Sequence, residues 1–128
     1  MIYKIVSNKP LALIKEELSA HAKESGFGVL GSYEFKKILA SKGHPIEKDI
    51  TVYELCNPVA AQEALSALPE ISVYLPCRLS LYEENGKSVL ATINIEDMMQ
   101  SVDVDSDFKM QMQSVFEYLQ KLMHSFEE

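Results

Sequence analysis

Residues 73–82 alternate between two kinds of side chain, and this alternation constrains the fold more than any other feature of the sequence. The odd positions are apolar: Val73, Leu75, Cys77, Leu79 and Leu81. The even positions from residue 72 to residue 82 are Ser72, Tyr74, Pro76, Arg78, Ser80 and Tyr82. Because successive side chains of a strand point to opposite faces, the pattern predicts a strand with one face in the core.

A tight turn at Asn85–Gly86 and a return strand follow this segment. Two registers compete for the resulting hairpin. A two-residue loop pairs Leu81 with Leu90, whereas a three-residue loop that begins at Glu84 pairs Leu81 with Val89. Because a slip of one residue moves every side chain to the other face, burial should fix the register. We predict the three-residue loop, which also pairs Leu79 with Ala91, Cys77 with Ile93 and Glu83 with Lys87.

The other segments alternate between strand and helix patterns. Strands are predicted at Met1–Val6, Phe27–Tyr33 and Ile50–Cys56, and helices between Ser7 and Gly26, near Phe35, from Asn57 to Leu68, at Glu96–Gln100 and from Ser106 onward. The last helix carries an apolar seam with helical spacing: Phe108, Met112, Val115, Leu119, Leu122 and Phe126. A seam of this kind predicts a long amphipathic C-terminal helix that packs on the sheet.

Length and charge narrow the class of protein. The chain has 128 residues, of which 47% are hydrophobic and 24% charged, as in a single globular domain over residues 1–128. The net charge is −7, which disfavours nucleic acid as a partner. No apolar run approaches the ~20 residues that span a bilayer, and Lys4 and Lys9 interrupt any signal-peptide core. We therefore expect a cytoplasmic protein without a membrane partner.

The two cysteines, Cys56 and Cys77, are the candidate nucleophiles. In a reducing compartment both are expected to be free thiols. Cys77 is next to the cation of Arg78, but the alternation places it on the apolar face, so a core position is favoured. Cys56 precedes a predicted helix N-terminus, where the helix dipole favours a thiolate. No base lies near Cys56 in sequence, and a core position is favoured here too.

The sequence indicates no metal or cofactor. The histidines, His21, His44 and His124, are scattered and lack the spacing of a zinc site. His21 is expected to pair with Glu17 on the surface of the first helix. Asp103, Asp105 and Asp107 resemble the start of a calcium loop, but Phe108 and Ser114 occupy the glycine and glutamate positions, which excludes calcium.

One group of polar residues suggests a binding site. Arg78, Tyr74 and Tyr82 share the less apolar face of the predicted strand, and Asn57 lies at a helix start with free backbone N–H groups. A planar guanidinium suits a carboxylate or phosphate held by two hydrogen bonds. We therefore predict a small anionic ligand at these four residues. In the alternative interpretation, Arg78 pairs with a surface carboxylate.

Several short motifs resemble a known family. They are Gly26–Phe27–Gly28–Val29–Leu30 after a helix, Asn57–Pro58 after a strand, Leu75–Pro76–Cys77–Arg78–Leu79, Tyr82–Glu83, Gly86, and Ala91–Thr92–Ile93–Asn94. Over about residues 1–100 the chain resembles domain-of-unknown-function family 302. The resemblance implies an α+β fold with a bent antiparallel sheet, helices on one face, and similarity to a single TATA-binding-protein-like repeat. It implies no DNA binding, and members that are small, often dimeric and without an assigned activity, so no catalytic residues can be carried over to this chain.

The function expected from these features is that of a non-enzymatic module that binds a small anion or forms a homodimer. Phe116 and Met123 widen the apolar seam of the last helix, and a helix with such a wide apolar surface often has a second partner. A symmetric homodimer is the default for such a surface. The alternatives are a small thiol-dependent enzyme that uses Cys56 or Cys77, and an interaction adaptor that uses the C-terminal helix.

Overall fold

A computed structural model describes residues 1–100 and 105–127 as an α+β fold. Five strands form one antiparallel sheet in the order β1-β5-β4-β3-β2. The strands are β1 (Ile2–Ser7), β2 (Gly28–Glu34), β3 (Thr51–Cys56), β4 (Cys77–Glu84) and β5 (Lys87–Ile93). The helices are α1 (Leu11–Glu24), α2 (Phe35–Ser41), α3 (Pro58–Ala67), α4 (Ile95–Gln100) and α5 (Ser106–His124), with a 3₁₀ helix at Pro69–Val73. The predicted α+β class is confirmed.

The core lies between one face of the sheet and helices α1 and α5. The seam predicted for the last helix is buried along its whole length, up to Phe126. A second cluster joins α5 to α3, α4 and the 3₁₀ helix. Phe116 and Met123, which suggested a second partner, are also buried within the chain. The argument for a homodimer from these two residues is therefore wrong, because α5 has apolar neighbours in its own chain on more than one side.

The register of the β4–β5 hairpin differs from the predicted one. Leu81 pairs with Leu90, and the two-residue turn has positive φ at both Asn85 (55°) and Gly86 (76°). These are the angles of a type I′ turn, whose twist matches the twist of the strands that flank it. The core face of β5 consequently presents Leu90 between two hydroxyl residues, Ser88 and Thr92.

Both hydroxyls donate a hydrogen bond to a backbone carbonyl, which explains why they are tolerated beside the core. Ser88 Oγ donates to the carbonyl oxygen of Lys9 at 2.8 Å, and Thr92 Oγ1 donates to that of Arg78 at 2.7 Å. Val89 and Ala91 lie on the opposite face of the sheet and are nevertheless buried. On that face Val89 lies opposite Tyr82, so this neighbour on β4 contributes to its cover.

Strand β4 begins later than the alternation predicts. Residues 69–73 form the 3₁₀ helix, Tyr74 follows it, and the Leu75–Pro76 peptide bond is cis. The pairing with neighbouring strands starts at Cys77. From there the predicted alternation holds, with Cys77, Leu79 and Leu81 buried and Arg78 exposed.

The ends of the helices follow local rules. Asn57, at the predicted start of the helix, caps α3, because its Oδ1 accepts from the backbone N–H of Ala60 at 3.1 Å. Asp105 caps α5 in the same way, while Asp103 lies outside the described residues. Ser7 does not cap α1. It lies on the core side of the edge strand, and its hydroxyl donates to the carbonyl oxygen of Phe126 at 2.6 Å.

Gly26, which follows α1, has a φ of +85°, and a Cβ at this position would lie 3.3 Å from Asn57 Nδ2. Gly43 has a φ of +80° but open space around it. Both substitutions to alanine lose about 1 kcal/mol of stability through the left-handed backbone, and Gly26→Ala loses more because it also displaces Asn57. Urea denaturation of the two variants measures the difference. Equal losses would contradict the contact between Gly26 and Asn57.

Candidate functional site

A cavity of about 250 Å³ lies where β3 ends and β4 begins, between the sheet, α3, the 3₁₀ helix and α5. Apolar side chains dominate its wall: Leu30, Leu55, Ala61, Leu65, Leu75, Pro76 and Val115. The remaining lining residues are two thiols, one amide and one hydroxyl, namely Cys56, Cys77, Asn57 and Ser72. No ionised side chain lines this cavity, so it suits an uncharged and largely apolar molecule.

Asn57 is the side-chain amide in this wall, and its two polar atoms, Oδ1 and Nδ2, have different surroundings. Oδ1 holds the first turn of α3, as described above. Nδ2 makes no hydrogen bond within the described parts of the chain, and it lies 3.3 Å from the position that a Cβ at Gly26 would occupy. Asn57 therefore combines a position fixed by Oδ1 with an amide nitrogen that has no hydrogen-bond partner among the described residues.

The two thiols of the wall have different environments. Cys77 is only 7% exposed, and burial, with a smaller contribution from Cys56, raises its pKa to about 12. The prediction of a core position for Cys77 is confirmed, and the raised pKa disfavours the thiolate that a nucleophile needs. Cys56 is half-buried, so its predicted core position is not what the structure shows. It ends β3 at the rim of the cavity because Asn57 starts the turn into α3.

The four residues of the predicted anion site do not form one site. Arg78 is 67% exposed, and its Nη2 lies 3.6 Å from Glu54 Oε2 on the directly opposite position of β3. Tyr82 lies beneath the ammonium of Lys4 instead. Arg78 thus makes the surface ion pair of the alternative interpretation.

Tyr74 and Asn57 are also separated from each other. Tyr74 packs edge-on against Phe108, with 5.7 Å between ring centroids. Tyr74 and Arg78 line a second cavity of about 130 Å³, whereas Asn57 lines the larger one. The two cavities share Pro76 and Cys77 in their walls.

Glu54 makes a second polar contact on the surface around Arg78. Tyr33 donates its hydroxyl to Glu54 Oε1 at 2.7 Å, and this hydrogen bond, together with the negative charge of Glu54, raises the pKa of Tyr33. One carboxylate therefore binds both a phenol and the guanidinium. An anion would have to compete with this carboxylate for Arg78.

Two histidines make contacts that the sequence does not predict. His124 Nε2 lies 2.5 Å from Tyr3 Oη, and its Nδ1 lies 3.0 Å from Glu127 Oε1. His21 stacks on Phe126, with 4.0 Å between centroids. These contacts tie the residues around the end of α5 to β1 and α1, and their sequence signal is the three-residue spacing of His124 and Glu127.

The contacts of His21 resemble a catalytic arrangement but serve as anchors. Its Nδ1 lies 2.8 Å from Ser125 Oγ, and its Nε2 lies 4.0 Å from Glu17 Oε1. The predicted pairing of His21 with Glu17 is thus a long contact. Ser125 donates its single proton to the carbonyl oxygen of Leu122 at 2.5 Å, so the imidazole does not receive it. An activated serine would need the opposite proton arrangement.

Neither a metal centre nor a membrane span is found in the described part of the chain. Residues 1–100 and 105–127 contain no group of three histidine, cysteine, aspartate or glutamate side chains arranged to hold a metal ion. None of the helices in these ranges has the length and apolar character needed to cross a bilayer.

Comparison with known proteins agrees with this fold. The family model "Domain of unknown function DUF302" matches residues 3–126, so the chain belongs to this family. The match extends beyond the first hundred residues and includes α5. A solved structure, an uncharacterized conserved DUF302 protein from Bacillus stearothermophilus, is similar over 98% of both chains with 24% identity and a TM-score of 0.86. No curated protein matches the chain.

The protonation of Cys77 predicts a specific pH dependence of stability. In the unfolded chain this thiol ionises near its usual pKa of 9.0, whereas in the fold it stays neutral up to about 12. Stability is therefore lost as the pH rises above 9, because only the unfolded state releases the proton, at up to about 1.4 kcal/mol per pH unit.

The difference in unfolding free energy between the wild type and Cys77→Ala isolates this effect, since other titrating groups are common to both. Urea denaturation at pH 8 and at pH 10.5 should show the wild type losing more stability than the variant. A pH-independent difference would show that the thiol is not held neutral.

Proposed function

We propose that this protein binds a small, uncharged and largely apolar molecule in the cavity lined by Cys56 and Asn57. The size and the lining of the cavity carry the proposal. An apolar protein cavity of about 150 Å³ is enough to bind benzene, and this cavity measures about 250 Å³. The proposal keeps the small-molecule-binding class expected from the sequence, but it moves the site away from Arg78.

The charge of the ligand follows from the wall. Burying an ionised group without a partner costs far more than an apolar contact returns. The cavity offers seven apolar side chains and no cation, so an anion is disfavoured there. Asn57 lines the cavity and its Nδ2 has no hydrogen-bond partner among the described residues, which favours a ligand with a hydrogen-bond acceptor such as a carbonyl oxygen. Cyclohexanone has both properties and is a suitable probe.

Filling the cavity tests the proposal. Ala61 is half-buried and lines the cavity from α3, so Ala61→Leu places three more carbon atoms in the space of the ligand. Ala67 is exposed on the same helix and does not line this cavity, so Ala67→Leu is the matched control. Calorimetric titration with cyclohexanone should detect saturable binding to the wild type and the control, with at least about tenfold weaker binding to Ala61→Leu, or 1.4 kcal/mol.

Two results would contradict this function. The first is an absence of saturable binding by the wild type at millimolar cyclohexanone. The second is equal binding by Ala61→Leu and the wild type, which would place the ligand elsewhere. The thermal unfolding midpoints of the two alanine variants control for a general change in the fold.

A further inference from the structure

We propose that the free edge of β2 binds an extended peptide, one apolar side chain of which enters the cavity beside Leu30. This inference goes beyond the proposed function, because the partner is a segment of another protein, although the cavity is the same. It depends on three features that lie along one strand: an unpaired edge, an apolar cavity beside the bulge, and lysines where the strand ends.

Strand β2 is an edge of the sheet, and the outer side of its backbone has no partner strand. Only β3 pairs with it, and Gly28–Glu34 makes no further backbone hydrogen bond within the described parts of the chain. Edge strands are commonly protected by lysine or proline. Strand β2 contains neither, and its one irregularity is the bulge at Leu30. Residues 31–34, which follow the bulge in regular register, are therefore open to an added strand.

The cavity provides a pocket for one side chain next to this edge. Leu30, the extra residue of the bulge, lines the cavity and is 65% exposed. Leu65 of α3 also lines it and is 37% exposed, so the cavity opens to solvent between β2 and α3. Because an apolar cavity of about 150 Å³ holds benzene, the 250 Å³ available here accommodate an isobutyl or phenyl side chain.

The other end of β2 leads into a group of positive charges. Helix α2 begins directly after the strand, and Lys36, Lys37 and Lys42 lie on this helix or next to it. Lys37 is paired with Glu34 at 3.2 Å, whereas Lys36 and Lys42 are exposed and make no ion pair among residues 1–100 and 105–127. These two charges favour a partner that carries a carboxylate at this end.

The chemistry of the partner follows from these features. An extended backbone presents the alternating N–H and C=O groups that a strand edge requires, and a pocket beside the edge selects a side chain. All pairs in this sheet are antiparallel, so the added strand is expected to run antiparallel to β2. Its N-terminal end then lies near α2 and its C-terminal end near the cavity. The partner class is a peptide in which an acidic residue precedes a large apolar residue by about five positions, because four paired residues span roughly 13 Å.

The test uses fluorescein-DETVTVL-amide, in which the acidic residues should lie near α2 and the leucine in the cavity. Fluorescence anisotropy should show saturable binding to the wild type. Only alternate residues of a strand direct their N–H groups to a given neighbour. Peptides N-methylated on both threonines or on both valines are therefore matched controls. One of the two should bind at least about tenfold more weakly, as for the loss of two hydrogen bonds, and the other should bind like the parent peptide.

Variants of the protein separate the cavity from the charges. Ala61→Leu should weaken peptide binding about tenfold, because the leucine of the peptide no longer enters the cavity, and Ala67→Leu should bind like the wild type. Lys36→Glu should weaken binding about threefold, as for one exposed ion pair. Lys109→Glu, at an exposed lysine of α5, is the control for a change in net charge.

Three results would overturn the inference. Absence of saturable binding, or equal binding of the two N-methylated peptides, shows that no strand is added. Unchanged binding by Ala61→Leu shows that the cavity does not hold the side chain. A dimer of the protein alone that the peptide dissociates, measured by light scattering, shows that β2 pairs with a second copy instead. Cyclohexanone binding without peptide binding leaves the proposed function intact, and peptide binding without cyclohexanone binding does the reverse.

Discussion

The packing of α5 across the sheet is the interaction on which the rest of the structure depends. Leu119 and Leu122 are fully buried in the cluster that contains the central strands, while Phe108 and Phe116 belong to the cluster formed with α3 and α4. One helix thus connects both halves of the core. Each fully buried side chain of this kind contributes roughly 1.5–3 kcal/mol relative to exposure, so the seam is a major part of the folding energy.

The cavity is a consequence of the same arrangement. Val115 of α5 closes one side of it, and the 3₁₀ helix and α3 close another. The rim is formed where β3 ends at Cys56 and the chain turns into α3 through Asn57. The capping contact that starts α3 therefore also fixes the position of Asn57, the amide of the cavity wall. A site that is positioned by main-chain geometry in this way needs few specialised side chains.

Particular residues show how much of this fold the sequence predicted. The alternation predicted the buried face of β4 correctly, because one strand requires only the period of two. The hairpin register was wrong because the prediction treated Val89 and Ala91 as facing the helices. They are covered on the other face, opposite or beside neighbours such as Tyr82 and Lys4. The preference of Asn85–Gly86 for a two-residue turn was the better signal.

The candidate site was less predictable than the fold, because it depends on residues distant in sequence. Arg78 looked available until β3 placed Glu54 directly opposite it. The larger cavity combines Leu30, Leu55 and Val115 from three elements, and no local pattern connects them. The available local signal was the sequence Cys56–Asn57–Pro58, in which a strand ends with a thiol immediately before a helix cap.

The most direct test of the central claim is the position of a bound molecule. Nuclear Overhauser effects between cyclohexanone protons and protein methyl groups report which side chains contact the bound molecule. The cavity predicts contacts to the methyl groups of Leu55, Leu65 and Val115. Contacts to Ile93 and Met98, which line the smaller cavity beside Arg78, would contradict the account.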